Sequence, residues 1–490
     1  MRYQNTYVKL DTRLYHEQLP TPLENPRTGH FNMQVAQQLG WTEDEYLMAR
    51  WVEILGGQYV PEQFKPLSMA YAGHQFGQWA GQLGDGRGLL MAQVLDKNNQ
   101  LQDLHLKGAG LTPYSRMGDG RAVLRSTIRE YLCGHALTQL GIASSNALGF
   151  VVSDTRVRRE RLEAGAALMR VADSHIRLGH VEWIASFAPD LLSEFTDYMI
   201  DTYYPECRDS EKPVLAFLQA VVERTARMIA DWQLIGFAHG VMNTDNLSIT
   251  GSTLDFGPFG FMERFNPAWI NNHSDHSGRY AYQNQPAIGH WNLNIWLPHF
   301  MRLTQAGVTR DTLADCLAPY EATFMQHYQQ GLCRKLGLPH AKESLTLAFE
   351  WLTLLEDNLL DYTNSFRALL ALIAPNEHPY EQKLLTIMTA ELTNEAAQVL
   401  QDWATRYLAQ IQQVSIAQAI DDITTNNPIY VLRNSMAQRV ITAAEQGQFD
   451  ELNRVFNLLA NPYIINDSAI ELDTMPPAPH APQMPISCSS

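Results

Sequence analysis

The sequence predicts an α+β protein with two lobes, of which the second is large and mostly helical. Runs of strand length lie in the first 185 residues, with Gly88–Leu95 and Leu104–Lys107 as the clearest examples. From Pro213 onward the apolar residues recur at helical spacing, and nearly all of 293–460 keeps that pattern. Strands followed by helices are typical of a segregated α+β architecture.

Composition limits the function classes. The chain has 490 residues, of which 45% are hydrophobic, so it can bury a large core. Its net charge of −16 argues against a nucleic-acid binder but permits local basic pockets. Five scattered cysteines without a CxxC pair favour a reducing compartment and no structural zinc. No apolar run approaches about 18 residues and no signal-peptide core is visible, so we expect a cytoplasmic protein without a membrane partner.

Four segments follow from these patterns. Residues 1–61 mix short helical patterns with proline-rich turns, and we expect them to wrap on the main body as an extension. Residues 62–185 carry the strands and two glycine-rich loops, and residues 186–463 carry most of the helices. Residues 464–490 are rich in Pro, Ala and Ser, which predicts a mobile tail.

The first glycine-rich stretch runs from Tyr71 to Arg87 and includes Gly84 and Gly86. We interpret it as a loop, because glycines let backbone N–H groups approach a phosphate without side-chain clashes. The next two strands lead to Lys107, whose compact charge suits phosphate oxygens. Since glycine clusters alone usually mark ordinary turns, the interpretation depends on Lys107 as well.

A second glycine-rich loop, residues 108–121, contains Asp119 and Gly120. A helix is predicted to follow from Ala122 to Leu140. Glu130 lies on this helix, where a protein kinase places the glutamate that pairs with the strand lysine. The alternative for Glu130 is a solvated carboxylate.

Two arginines lie in or just after a strand predicted from Ala166 to Val171. Arg170 has apolar neighbours in the sequence, and a buried guanidinium needs an anion. An ATP phosphate and a structural carboxylate are both open as its partner. Arg177 is a weaker case of the same pattern.

The most informative stretch is His239–Gly257. Its runs Leu247–Thr250 and Thr253–Leu254 flank a Gly-Ser turn, which predicts a hairpin with Asn246 and Asp255 close together at its open ends. An amide and a carboxylate make a hard oxygen site, suited to Mg²⁺ or Mn²⁺ bound through a nucleotide phosphate.

Protein kinases have the same arrangement of a His, a metal-binding Asn, a short hairpin and Asp-Phe-Gly. His239, Asn246 and Asp255 occupy these positions, but the position of the kinase base is Val241, which cannot accept a proton. Either a kinase-like fold has lost catalysis here, or it catalyses another reaction, with Asp245 as a candidate base. An isolated Asp-Phe-Gly also fits an ordinary β-turn.

Together these motifs resemble the selenoprotein O family of pseudokinase-fold protein adenylyltransferases. The resemblance spans about Leu67 to the C-terminus, and its motifs are residues 71–87, 107–130, 168–179, 237–262 and 427–434. It implies a protein-kinase-like, two-lobed fold with a large helical C-lobe. It also implies that ATP is held inverted relative to a kinase, and that AMP passes to Ser, Thr or Tyr hydroxyls of proteins, the enzyme itself included.

The resemblance implies a role for each matching residue. Asp245 would be the catalytic proton acceptor, and Asn246 and Asp255 would hold the metal ion. The residues implied to contact ATP are Gly84, Gly86, Arg87, Lys107, Asp119, Gly120, Arg170, Arg177 and Asp255, with Glu130 supporting Lys107. The rival functions are a kinase, which Val241 disfavours, and a silent ATP-binding scaffold, which would not need the metal pair.

Redox control is the point where this sequence departs from the family. Members commonly carry a selenocysteine or cysteine near the C-terminus, and Cys488 holds that place. Many also have a cysteine where this chain has Asn271. The obvious thiol partner for Cys488 is therefore missing.

Overall fold

A large antiparallel sheet organises the N-terminal part of the chain. The computed structural model describes residues 1–375, 377–478 and 486. Within them the sheet has the strands β1 Arg2–Tyr3, β2 Tyr15–Glu17, β3 Arg27–Phe31, β4 Leu67–Gln75, β5 Gln78–Gly84, β6 Gly88–Leu95, β7 Leu101–Lys107, β8 Ala122–Val123, β9 Asn146–Arg158 and β10 Leu162–Ala172. A second, two-stranded sheet pairs β11 Phe237–Ala238 with β12 Gly260–Phe261. The strands predicted at 88–95, 104–107 and 166–171 are confirmed.

The sheet has the order β2-β4-β6-β7-β10-β9-β3, with β1 on β6, β5 on β4 and β8 on β10. The N-terminal segment therefore adds three strands, β1, β2 and β3, to the sheet. In the register of β7 and β10, Lys107 lies opposite Leu168 and His105 opposite Arg170. Because paired residues share a face, all four side chains lie on the same side of the sheet.

Helices dominate the rest of the described chain, so the α+β class is confirmed. Their bounds are α1 Met33–Gln38, α2 Glu45–Leu55, α3 Leu124–Gln139, α4 Leu178–Phe187, α5 Leu192–Tyr203, α6 Pro213–Leu234, α7 Gln285–Trp296, α8 Arg310–Leu317, α9 Pro319–Lys335, α10 Lys342–Asp357, α11 Tyr362–Arg367, α12 Leu369–Ile373, α13 Pro379–Ala390, α14 Asn394–Ile411, α15 Ile416–Asn426, α16 Asn434–Glu445 and α17 Asp450–Ala460. Among the described residues, no helix is long and apolar enough to cross a membrane.

Three apolar clusters hold these layers together. One joins α1 and α2 to one face of the sheet, through residues such as Trp41 and Met169. The second joins α3 to the opposite face and continues through α4–α7, α16 and α17. The third lies among the C-terminal helices around Trp351 and Trp403. Apolar surface is thus buried on both sides of the central strands, which explains their nearly continuous hydrophobic runs.

The helix predicted at 122–140 is confirmed, but it begins two residues later, at Leu124. Ala122 and Val123 form β8 instead, because they pair with Ala166 and Gly165 of β10. At the other end Gly141 has φ +82°, and the amides of Gly141 and Ile142 donate to the carbonyls of Thr138 and Leu137. This is the bond pattern of a Schellman cap, which glycine favours.

The glycine-rich stretch 71–87 was expected to be a loop and is mostly the β4–β5 hairpin instead. Its glycines allow close packing. A Cβ on Gly73 would lie 2.6 Å from Asp245 Oδ1, and one on Gly84 would lie 2.8 Å from the Met69 carbonyl oxygen. The tip is Phe76–Gly77, where both residues have positive φ, as in a type I′ turn.

The start of the predicted tail packs on the helices. Asp473 is fully buried and makes ion pairs with Arg439 and with Arg454, the latter at 2.6 Å. The His273 amide donates to the Ile486 carbonyl oxygen at 2.8 Å, and the Ile486 amide donates to the side-chain Nδ1 of His273 at 2.9 Å. Cys488 lies outside the described residues.

Lys335, at the end of α9, is a lysine buried among aromatic rings, with 3% of its surface exposed. Its Nζ lies 4.4 Å from the ring centroid of Phe366 and 5.4 Å from that of Tyr362. Burial lowers the pKa of Lys335 to about 7. The folded protein therefore holds a charge that destabilises it whenever this lysine is protonated.

We expect Lys335→Met to raise the thermal midpoint at about pH 6 and to have less effect at about pH 10. Between about pH 7 and the unfolded pKa of about 10.4, the unfolded chain binds more protons, so wild-type stability rises with pH. Below about pH 7 both states are protonated and the full cost of the buried charge applies. Thermal unfolding at the two pH values tests this. If the thermal midpoints of the wild type and Lys335→Met differ by the same amount at both pH values, the buried charge is not the cause of the difference.

Candidate active site

A cavity of about 320 Å³ opens where β4, β5, β7 and β10 meet the segment 239–257. It brings together ten of the twelve residues to which the resemblance assigns a role, namely Gly84, Gly86, Arg87, Lys107, Asp119, Gly120, Arg170, Arg177, Asp245 and Asp255. Glu130 and Asn246 are not among the lining residues. Residues from distant parts of the sequence thus form one site.

The cavity is basic although the whole chain is acidic. Of the described residues that line it, seven are Arg or Lys and four are Asp. The chain as a whole has a net charge of −16. A concave site with surplus positive charge concentrates a polyanion such as a nucleotide triphosphate.

Glu130, on α3, is the centre of the first ion-pair cluster. Its two carboxylate oxygens make ion pairs with Lys107 Nζ and with Arg170 Nε. Burial alone would raise the pKa of Glu130, but Arg170 and Lys107 lower it to about 2. Burial lowers the pKa of Lys107 to about 8 against the opposing effect of Glu130. The glutamate–lysine pair expected from the sequence is present in the structure.

Asp255 is the centre of the second cluster. Arg170 Nη1 lies 2.9 Å from its Oδ1, and Arg177 Nε donates to its Oδ2 at 2.8 Å. Burial would raise the pKa of Asp255, but Arg177 and Arg170 hold it well below the usual range. The partner left open for Arg170 in the sequence is therefore, in this structure, a pair of structural carboxylates, Glu130 and Asp255.

Asp85 is a site residue that sequence reasoning missed. Its Oδ2 accepts the Met69 amide at 3.0 Å and lies 3.3 Å from His105 Nε2, and its Oδ1 is 3.9 Å from Arg177 Nη1. Burial would raise its pKa, but His105 and Arg177 lower it to about 2. Its position between Gly84 and Gly86 was the available signal.

Asp245 lines the cavity with 6% of its surface exposed. Gln75 Nε2 donates to its Oδ2 at 2.9 Å, and its Oδ1 has no hydrogen-bond partner among the described residues. Burial raises the pKa of Asp245 to about 7. Gln75 is a second residue that the sequence did not point to, because its role arises from a contact 170 residues away.

The hairpin predicted inside 239–257 is wrong as a regular two-stranded element. Only Leu247 and Thr253 pair across it. Its first arm pairs with the segment before α4, where the Leu178 amide donates to the Leu247 carbonyl at 2.9 Å. Its second arm pairs with residues 143–145, where the Thr253 amide donates to the Ala143 carbonyl at 2.9 Å. Neighbouring segments thus take the backbone groups that a hairpin would use.

The kinase-like positions have distinct local roles. His239 is fully buried, and its Nε2 lies 2.7 Å from the Leu254 carbonyl oxygen, so it braces the segment. Asn246 Nδ2 donates to the Val241 carbonyl at 3.0 Å, which fixes the amide plane. Val241 is buried and is absent from the cavity lining.

The second glycine-rich loop forms another wall of the cavity. Asp119 accepts the Arg121 amide at 2.9 Å and makes an ion pair with Arg159 at 2.6 Å. Arg121 and Arg159 both line the cavity, and neither was predicted. Asp119 is thus tied to two arginines.

Asn271 is buried and has a structural role. Its Nδ2 donates to the carbonyls of Ala238, at 3.1 Å, and Pro258. The four described cysteines, Cys133, Cys207, Cys316 and Cys333, are free and buried.

Comparison with known proteins identifies the family. The model of the family described as protein adenylyltransferase SelO matches residues 1–460. The chain belongs to this family. The resemblance seen in the sequence is thereby confirmed, and the SelO-family chain is a nucleotidyltransferase.

Curated relatives match over the full length. A protein nucleotidyltransferase YdiU of Aliivibrio fischeri (strain MJ11) is 42% identical, over 99% of this SelO-family chain and 98% of its own. The YdiU protein of Vibrio vulnificus (strain YJ016) is also 42% identical, over 100% of this chain and 99% of its own length. The YdiU protein of Vibrio cholerae is 42% identical, over 99% of this chain and 98% of its own length.

We expect Glu130→Gln to destabilise the protein by about 3–5 kcal/mol, because it leaves Arg170 and Lys107 without their shared carboxylate. The double variant Glu130→Gln/Arg170→Met should cost less than the sum of the single changes, since the two residues form one buried pair. Denaturant unfolding of the three variants measures this coupling. Asp190→Asn, which breaks an exposed pair with Arg13, is the control and should change stability little. If the stability cost of the double variant equals the sum of the two single costs, the residues do not act as one ion-pair cluster.

Proposed function

We propose that this chain transfers AMP from ATP to Ser, Thr or Tyr hydroxyls of proteins, itself included, and releases diphosphate. One observation carries the proposal. Asp245 lines the same cavity as Lys107, Arg170 and Arg177, whereas Val241, at the position of the kinase base, does not. The carboxylate that would receive the acceptor proton is thus Asp245 and not a residue at the position of the kinase base.

We further propose a protein-kinase-like, two-lobed fold for it. Two features support this. Lys107 on a strand pairs with Glu130 on the following helix, as the lysine and glutamate of a kinase do. Asp255 begins an Asp-Phe-Gly motif that faces the same cavity.

In the proposed reaction the acceptor hydroxyl oxygen attacks the α-phosphorus, and the bond from that phosphorus to the bridging oxygen of diphosphate breaks. Asp245 receives the hydroxyl proton, held in place by the hydrogen bond from Gln75. Lys107, Arg170 and Arg177 stabilise the negative charge that develops on the departing diphosphate. Arg87, Gly84 and Gly86, together with Asp119 and Gly120, would contact the rest of the nucleotide.

Among the described residues, no group of three or more His, Cys, Asp or Glu side chains could hold a metal ion by itself. Magnesium in nucleotide sites is held by one or two protein groups and by substrate phosphates, so a cage of protein ligands is unnecessary. Asp255 supplies an ionised carboxylate in the cavity, and the bond from Asn246 Nδ2 to Val241 leaves the amide oxygen of Asn246 available. We propose these two residues as the ligands of Mg²⁺ or Mn²⁺, which would neutralise phosphate charge.

We place the protein in the cytoplasm. Four free, buried cysteines support a reducing compartment.

The decisive test follows which phosphate is transferred. We expect label from α-phosphate-labelled ATP to become covalently attached to protein, and label from the γ-phosphate not to, because the site holds the β- and γ-phosphates as the leaving group. Mass spectrometry should show the added mass of AMP. Transfer of γ label alone would establish a kinase with an unusual base. Transfer of neither label, with ATP still bound, would establish a silent scaffold.

A second prediction separates the base from the binding residues. We expect Asp245→Asn to lower kcat by about 10²–10⁴-fold, as is usual for loss of a general base, with little change in ATP affinity. Asparagine keeps the shape of the side chain and can still accept the Gln75 hydrogen bond. Single-turnover kinetics and calorimetric titration with ATP measure the two quantities. Loss of affinity with an unchanged maximal rate would make Asp245 a binding residue.

A further inference from the structure

A buried arginine on α3 lies beside the site and has no part in the proposed reaction. Arg129 directly precedes Glu130 and is 5% exposed. Consecutive residues of an α-helix point about 100° apart, so Arg129 faces other elements than Glu130, which pairs with Lys107 and Arg170 of the sheet. Arg129 does not line the cavity. Any effect it has on the reaction therefore acts through another residue.

The partners of Arg129 come from two distant segments. Its Nη2 donates to the Phe259 carbonyl at 2.9 Å, and its guanidinium carbon lies 4.5 Å from the ring centroid of Phe259. Nη1 and Nη2 also donate to Asn434 Oδ1, both at 3.4 Å. Phe259 follows the Asp-Phe-Gly motif by two residues, and Asn434 is the first residue of α16. Arg129 thus joins α3, the segment after Asp-Phe-Gly and the C-terminal helices.

Asn434 is also the last residue of the family motif 427–434, to which the proposed reaction assigns no role. Buried polar contacts fix this motif to the helices around it. Asn427 Nδ2 donates to the Lys335 carbonyl at 2.8 Å, and Arg433 Nη1 lies 2.8 Å from Asp361 Oδ2. The motif therefore offers the last side chain to α3 from a fixed support.

Burial makes the position of Phe259 costly to change. Burial lowers the pKa of Arg129 to about 10, and its Nε has no hydrogen-bond partner among the described residues. Its partners in the described chain are neutral: one backbone carbonyl, one side-chain amide and one aromatic ring. A buried cation that loses such an acceptor is left uncompensated, which costs free energy. Movement of Phe259 away from α3 is therefore opposed.

Phe259 is connected to Asp255 by a tight, buried turn. The Gly257 amide donates to the Asp255 carbonyl at 2.9 Å. The rings of Phe256 and Phe259 pack edge to face, with their centroids 6.3 Å apart, and both are buried. We therefore expect residues 255–259 to move as one unit, so that a shift of Phe259 also shifts the Asp255 carboxylate.

We propose that Arg129 is a positioning residue that fixes Asp255 relative to Glu130, and that the motif 427–434 acts on the reaction by holding Arg129 through Asn434. The inference rests on the proposed function, because that function assigns Asp255 to the metal ion bound with ATP. Groups that orient a metal ligand typically contribute about 10–100-fold to metal affinity or activity.

The test compares the ATP affinity of the full-length chain in Mg²⁺ and in EDTA, measured by calorimetric titration. Arg129→Met removes the donors and keeps an unbranched side chain against the Phe259 ring. We expect it to lower the ATP affinity in Mg²⁺ by about 10–100-fold and to leave the affinity in EDTA unchanged. Arg129→Lys keeps the charge and can donate to the Phe259 carbonyl, so it should retain most of the affinity in Mg²⁺.

Two further variants separate positioning from a general loss of stability. Asn434→Ala removes one acceptor, so it should lower the affinity in Mg²⁺ less than Arg129→Met does and add nothing to it in the double variant. The control is Asn427→Ala, since Asn427 is fully buried in the same motif but bonds to Lys335. It should lower the thermal midpoint and keep both wild-type ATP affinities.

An unchanged affinity of folded Arg129→Met in Mg²⁺ would overturn the inference. An equal loss in Mg²⁺ and EDTA would do the same, as would a Mg²⁺-specific loss in the Asn427→Ala control. Should Arg129→Met fail to fold, Asn434→Ala decides by the same comparison.

Asp255→Asn separates the inference from the proposed function. We expect it to lower the affinity in Mg²⁺ at least as much as Arg129→Met, and the double variant to lose no more than Asp255→Asn alone. Additive losses would show that Arg129 acts elsewhere. If Asp255→Asn loses affinity in Mg²⁺ and Arg129→Met does not, only the inference fails. If Asp255→Asn keeps the wild-type affinity, the metal assignment fails, and the route through Asp255 fails with it.

Discussion

A chain of buried charges of alternating sign holds the active-site cavity together. It runs from Glu130 to Arg170, Asp255, Arg177 and Asp85, and each residue comes from a different part of the fold. Helix α3, strand β10, the segment 239–257, the start of α4 and the turn after β5 are thereby joined. Removing one member leaves a buried charge without its partner, which costs several kcal/mol. The walls of the cavity are therefore coupled, and its shape follows from this electrostatic constraint.

The cavity also contains positive charge that lies outside this chain of charges. Within it the carboxylates and guanidiniums largely compensate one another, while Lys107 shares Glu130 with Arg170, and Arg87, Arg116 and Arg121 line the cavity as further cations. This surplus lies in a concave site on a chain of net charge −16. A nucleotide triphosphate is thus attracted to the cavity and not to the surrounding surface.

Local patterns predicted the local elements well. Strands β6 and β7 and helix α3 were visible because their apolar spacing and the glycine cap at Gly141 act within a few residues. The pairing of Glu130 was suggested only by analogy, since it depends on the register that puts Lys107 and Arg170 on one face of the sheet. Asp85, Gln75 and the arginines of the outer wall were missed because each acquires its partner from a distant segment. The domain boundaries and the roles of the site residues stay predictions.

The glycine-rich hairpin shows in physical terms why the sequence was misinterpreted there. Its tip places Phe76 at φ +50°, a conformation that a bulky residue rarely adopts. The turn preferences of the residue types therefore did not predict this tip. Asp255, which lines the cavity, also has a left-handed backbone, at φ +57°. In both cases tertiary contacts impose the conformation: the Phe76 amide has two acceptors, and the Asp255 carboxylate has two guanidiniums. Strain of this kind persists only where the surroundings over-determine it. Both backbone conformations are therefore imposed by the completed fold and are not encoded in the local sequence.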